Sequence, residues 1–96
     1  MTFEVDPGQL RLPPDRADGP DPFRLADQIR EFGTSDEGMP PLQLTQGQGG
    51  EYMINDGVTR ATRIYLSNPG RKVRAEVIHA TDWDLTHLPR VKDVML

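Results

Sequence analysis

Hydrophobic and polar positions change period several times along this chain, and each change marks an element. Phe3, Glu4 and Val5 alternate as a short strand does, and Asp6-Pro7-Gly8 closes it with turn chemistry. From Leu10 to Pro20 the chain is dense in Pro, Asp and Gly and poor in apolar residues, which predicts an extended connection lying on the surface. Leu25, Ala26, Ile29 and Phe32 then recur at three- and four-residue spacing with charged residues between them, the pattern of a helix that turns one stripe to a core. Asp21 can cap the first N–H groups of that helix, Pro22 suits its first position, and Gly33 suits the residue just past its end.

Thr34 to Pro41 is polar and turn-rich. Leu42–Thr45 and Tyr52–Ile54 read as strands, and the glycine-rich stretch from Gln46 to Glu51 between them predicts an antiparallel hairpin. A second helix follows the Asp56-Gly57 corner with Val58, Ala61, Ile64 and Tyr65 as its buried stripe, and Asn68-Pro69-Gly70 stops it. Val73, Ala75 and Val77 alternate as a last strand, with Arg74 and Glu76 on its other face. These elements predict a small α/β domain over residues 1–79, with a mixed sheet and two main helices. The tail, residues 80–96, holds Trp83, Leu85, Leu88, Val91, Val94, Met95 and Leu96 without a clean period, and Pro89 interrupts any helix there. It is expected to pack on the domain or on a partner chain, with Trp83 as a lid on the core.

Composition narrows the function. Ninety-six residues make one domain with a single modest core. The chain has no cysteine, which excludes disulfides, thiolate metal sites and cysteine nucleophiles. A net charge of −4 argues against broad, non-specific adhesion to nucleic acid, because such a surface repels phosphate on average. No apolar run approaches the length of a membrane span, and the N-terminal residues show neither the basic nor the apolar region of a secretory signal, so cytoplasmic residence is expected.

The corner "DGVTR" carries the most chemistry. A tight turn from strand into helix aims the free N–H groups of Gly57, Val58 and Thr59 away from the positive end of the helix dipole, which suits an anion. Gly57 permits close backbone approach, Thr59 adds a hydroxyl, and the forked donors of Arg60 and Arg63 match phosphate or carboxylate. The competing reading makes Asp56 the helix cap and Arg60 and Arg63 a solvated face paired with acids such as Glu31 or Asp27.

In order and spacing, "RLADQIREFG", "GMPPLQLTQGQGGEYMINDGVTRATRIY" and "VRAEVI" resemble the ParB-like nuclease domain of the ParB/sulfiredoxin superfamily, from about Phe3 to His79. The resemblance implies a small α/β fold that holds a nucleotide, ATP or CTP, or a polynucleotide phosphate at the corner. It places Gly57, Thr59 and Arg60 on the phosphate-contacting turn, and Glu31 near a position where some relatives keep an acid. Val58 and Thr59 stand where sulfiredoxins carry a cysteine, so sulfinic-acid reduction is not expected. Thr59 also replaces the histidine that many relatives place before the arginine. Neither a second arginine-rich nucleotide motif nor a helix-turn-helix domain follows in these residues, so chromosome partition is not expected.

Three functions follow from this reading. The first is nucleotide or phosphate-ester binding at residues 57–63, extended to nuclease or phosphoryl-transfer chemistry with Glu31 or Asp56 accepting a proton. If a metal takes part, magnesium is the expected ion and Asp56 its ligand, since soft ligands are missing. The second is a non-catalytic module docking through its apolar tail, and the third a small ParB-like toxin-type effector. His79 and His87 with Asp82 and Asp84 have metal-ligating side chains, but their spacing fits no standard structural site.

Overall fold

The computed structural model describes residues 1–95. It is a small α/β domain: strand β1 (Phe3–Val5), helix α1 (Pro22–Phe32), strands β2 (Leu42–Gln46) and β3 (Tyr52–Asp56), helix α2 (Val58–Ser67), strand β4 (Val73–Ala80) and a one-turn helix α3 (Val91–Val94). Two single-turn helices, Pro7–Gln9 and Pro14–Arg16, lie between β1 and α1. The four strands form one mixed sheet in the order β1-β4-β2-β3. β2 and β3 are the antiparallel hairpin that the glycine-rich turn predicts, β1 pairs antiparallel with β4, and the central β2–β4 pair is parallel.

That parallel pair requires a crossover, and α2 is part of it. α2 lays Ala61 and Ile64 onto Leu42, Leu44, Ile54 and Ala75 of the sheet, all of them buried in one core. α1 packs against α2. Its start follows the sequence closely, because the Asp21 carboxylate accepts from the Phe23 N–H at 2.8 Å and Pro22 opens the helix. The predicted α1 stripe is only partly covered: Leu25 is buried, whereas Ala26 is exposed and Ile29 and Phe32 are 42% and 39% exposed. A helix that rests on another helix at the margin of the core buries a narrower stripe than one lying flat on a sheet.

The segment from Leu10 onward corrects a simpler expectation. It is extended, but Leu10 and Leu12 are core residues. The Arg11 N–H donates to the Tyr52 carbonyl at 2.8 Å, and the Arg11 carbonyl accepts from the Ile54 N–H at 3.0 Å, so residues 10–12 run along the outer edge of β3. Their other side meets the tail, where Leu12 N–H donates to Pro89 and Val91 N–H donates to Leu10. Alternate residues Leu10 and Leu12 therefore point inward as in a strand, on a segment whose sequence shows mainly turn residues.

The tail packs on its own domain. Leu85, Leu88 and Val91 are buried, and Val91 belongs to the same core cluster as the sheet residues. Trp83 is 76% exposed, which corrects its expected place as a lid. Among the described residues no helix is long and apolar enough to cross a membrane.

Candidate functional site

The corner between β3 and α2 is shaped by Gly57. Its φ of 111° lies in the left-handed region, and a Cβ there would fall 2.3 Å from Leu42 Cδ2, so the position admits no side chain without movement of the core. Gly57, and not Asp56, occupies the cap position, and no side chain caps the helix. The first intrahelical bond runs from the Ala61 N–H to the Gly57 carbonyl at 2.8 Å. The N–H groups of Val58, Thr59 and Arg60 precede it and sit at the positive end of the α2 dipole. Thr59 is 6% exposed, so its hydroxyl presents little surface beyond the corner itself.

The two arginines of the corner have different environments. Arg60 is half-buried, lines the cleft in front of the corner, and donates to the Pro40 carbonyl. Burial lowers its pKa, Arg74 adds to that, and Asp36 and Asp56 oppose it. Arg63 is fully buried behind the cleft, which it does not line itself, against Met39 and Phe32 of the cleft walls. Its guanidinium donates to the Gly33 and Ser35 carbonyls at 2.9 and 2.7 Å and lies 5.5 Å from the centre of the Phe32 ring. Burial, and then the neighbouring Arg60 charge, push its pKa down. Three residues leave the two side chains about 60° apart around the helix and about 4.5 Å apart along it, so both face the segment between α1 and β2, Arg60 at Pro40 and Arg63 one step further along at Gly33 and Ser35. The expectation that Arg63 adds charge to a phosphate site is thereby revised: it holds that loop through carbonyls, and it pairs with neither Glu31 nor Asp27.

Two other arginines complete the attachment of the loop. Arg71 donates to the Thr34 carbonyl and to the Asp36 carboxylate, the latter at 2.8 Å, and Arg74 donates to the Met39 carbonyl at 3.0 Å. A segment without regular secondary structure has carbonyls that its own backbone leaves unpaired, and guanidinium groups satisfy them here. Because Met39 and Pro40 also line the cleft, these bonds fix one of its walls.

The cleft has a volume of about 740 Å³, within the range that holds a small organic ligand. Its floor is Ile54 to Arg60, the end of β3 and the start of α2. One wall is Met39 and Pro40. The other comes from the turn at Asp15 and Arg16 and from Arg24, Gln28 and Phe32 of α1. Three arginines (Arg16, Arg24, Arg60) and two aspartates (Asp15, Asp56) line it, a positive balance on a chain whose net charge is −4.

Of the residues expected at a site, Asp56, Gly57, Val58, Thr59 and Arg60 come together on this cleft. Glu31 does not: it is exposed on α1, about 100° around the helix from Phe32, and the structure does not assemble it with Asp56 into an acid–base pair. Arg16, Arg24 and Gln28 are cleft residues that no motif in the sequence singles out. Arg24, Gln28 and Phe32 do recur every four residues beside the apolar stripe, and that spacing is the signal that marks the α1 wall. Among the described residues no three His, Cys, Asp or Glu side chains gather as a metal site, so the two histidines and their neighbouring aspartates do not form one. No protein-family model, no curated protein and no solved structure matches the chain.

Proposed function

We propose that the chain is a cytoplasmic domain that binds a phosphate ester, a nucleotide or a polynucleotide phosphate, in the cleft at the start of α2, as its resemblance to ParB-like domains implies. The observation that carries this reading is the coincidence of an uncapped helix start with a cleft of about 740 Å³ lined by three arginines and two aspartates. Backbone N–H groups at a helix start favour an anion, and arginine forks favour a phosphate among anions. The apolar floor from Ile54 and Val58, with Phe32 on the α1 wall, accommodates the uncharged part of an ester.

Binding has more support than turnover. Phosphoryl transfer or phosphodiester cleavage needs a group to accept a proton or to hold a cation, and Asp56 is the one expected residue of that kind on the cleft. Magnesium keeps most of its water shell and takes one or two carboxylates together with phosphate oxygens, and Asp56 is on the cleft to supply one. Its role with a metal would be to neutralise phosphate charge and orient the ester.

The test is a thermal-shift and calorimetric panel of ATP, CTP, GTP and a short DNA, with and without magnesium, on the wild type and on Arg60→Ala. A ligand at about a hundred times its dissociation constant stabilises the native state by about 2.7 kcal/mol. One nucleotide should raise the wild-type midpoint and leave that of Arg60→Ala unmoved relative to its own ligand-free baseline. Absence of any shift in the wild type sinks the reading.

A further inference from the structure

Residues 34–41, between α1 and β2, are fastened to the domain by side chains. None of the eight is buried, so the segment adds nothing to the core. Its backbone bonds are local: the Ser35 N–H donates to the Phe32 carbonyl at 3.0 Å, and the Met39 N–H donates to the Asp36 carbonyl at 3.1 Å. Among the described residues, every hydrogen bond that joins it to anything beyond the end of α1 comes from a guanidinium group. Arg60 holds Pro40, Arg63 holds Ser35, Arg71 holds Thr34 and Asp36, and Arg74 holds Met39.

Charge and packing both bear on how firmly these bonds hold. Burial lowers the pKa of Arg60 and of Arg63, neighbouring guanidinium groups add to that, and Asp36 opposes it at both. Asp36 also pairs with Arg71 at 2.8 Å, so one carboxylate of the segment serves three of the four arginines. Arg63 is fully buried with its Nε unpartnered, and opening the segment returns that group to water, which offsets part of the bonds broken. A void of about 10 Å³ lies between the segment and the body, with Asp36 and Pro40 on one side and Ala61, Val73 and Arg74 on the other. Atoms around such a gap forgo part of their contact energy.

We propose that residues 34–41 are a strap that opens locally in the folded protein, held shut by the Asp36 charge among the arginines, and that its opening removes the Met39–Pro40 wall of the cleft. A segment with no buried side chain and no ladder of backbone bonds opens at a smaller cost than the core unfolds. Arg60 belongs to both structures, because it lines the cleft and donates to Pro40. The strap is independent of which ligand the cleft takes.

The chain has no cysteine, so a single cysteine placed under the strap reports its opening by reacting with a thiol reagent. Val73→Cys and Ala61→Cys stand on the void at positions 4% and 0% exposed, and Ala75→Cys, at a position equally buried but away from the void, reports the rest of the core. Chemical denaturation of each variant gives the labelling rate that global unfolding alone would produce. Under native conditions Ala75→Cys should react at that rate, and the two cysteines under the strap at least about tenfold faster than it. Asp36→Asn keeps an oxygen for Arg71 but removes the charge, and it should speed labelling under the strap severalfold further beyond any change at Ala75→Cys. Either strap reporter suffices if the other fails to fold. Labelling under the strap at only the global rate means that the segment opens when the whole domain unfolds. Rates unchanged by Asp36→Asn, or raised equally at Ala75→Cys, mean that this charge does not hold the strap. Each of these results overturns the proposal.

Discussion

Arg63 and Arg60 lie three positions apart on one helix. A fully buried guanidinium is costly unless its donors find partners, and for Arg63 the Gly33 and Ser35 carbonyls take one nitrogen and the Met39 sulfur lies 3.7 Å from another, while its Nε has no partner. Arg63→Ala removes two charge-assisted bonds, leaves both carbonyls short of a donor and opens a cavity beneath Phe32. Chemical denaturation should show a loss of roughly 3 kcal/mol, and a loss within experimental error would remove Arg63 from the structural residues of the fold. The surface pair of Arg90 and Asp93 gives a second test. Three bonds from Arg90, two from its side chain and one from its N–H, hold the Asp93 carboxyl at about 2, below its ordinary 3.8. Because the folded value is the lower one, the contribution to stability is complete above the ordinary value and is lost as pH falls through about 2. An NMR carboxyl titration should place Asp93 near that value in the wild type and return it to the ordinary range in Arg90→Ala.

At the scale of elements, the tail is the clearest case of tertiary context deciding a role. Residues 80–96 have no clean hydrophobic period, yet Leu85, Leu88 and Val91 are buried against the domain, and the Leu10–Leu12 segment bonds to β3 on one side and to residues 89–91 on the other. Each buried side chain contributes on the order of 2 kcal/mol, so losing the three together removes an amount comparable with the whole stability of a small domain. Truncation after Ala80 should therefore abolish cooperative thermal unfolding. A truncated chain that still melts with a sharp transition would mean that the tail is an addition to an independent core. The same result bears on the docking function, because the apolar side chains expected to meet a partner are mostly used inside, and among the described residues of the tail Trp83 is the large exposed one, Leu96 lying outside them.

At the scale of the molecule, charge is unevenly arranged. The net charge is −4, but the cleft carries one more arginine than aspartate, so a free anion is repelled at long range and attracted only near the cleft. Both effects are screened over about 8 Å at physiological ionic strength. Affinity for the nucleotide that binds should accordingly fall severalfold as sodium chloride is raised, and the dependence should be shallower in Arg60→Ala. Affinity that rises with salt would show that repulsion from the acidic surface dominates and that the cleft is not the binding region.

Local chemistry was enough to determine much of this protein. The Asp21-Pro22 helix start, the hairpin across the glycine-rich turn, the Gly57 corner, the α2 stripe and the inward Val73 and Ala75 of β4 are each set by residues close in sequence, through caps, turn geometry and periodicity, whereas Val77, expected to continue that alternation, is 38% exposed. The sequence therefore carried the α/β class and most element boundaries, together with the corner on which the candidate site stands. Only tertiary packing decided which strands pair, with β4 placed between β1 and β2. It decided that Leu10 and Leu12 belong to the core, that Arg63 is buried on loop carbonyls, and that Glu31 lies off the cleft. It also brought Arg16 and Arg24 onto the same cleft as the start of α2. The physical reason is common to all of these. A helix or turn is closed by neighbours a few residues away, whereas burial and charge compensation depend on groups far apart in the chain, which no local period records.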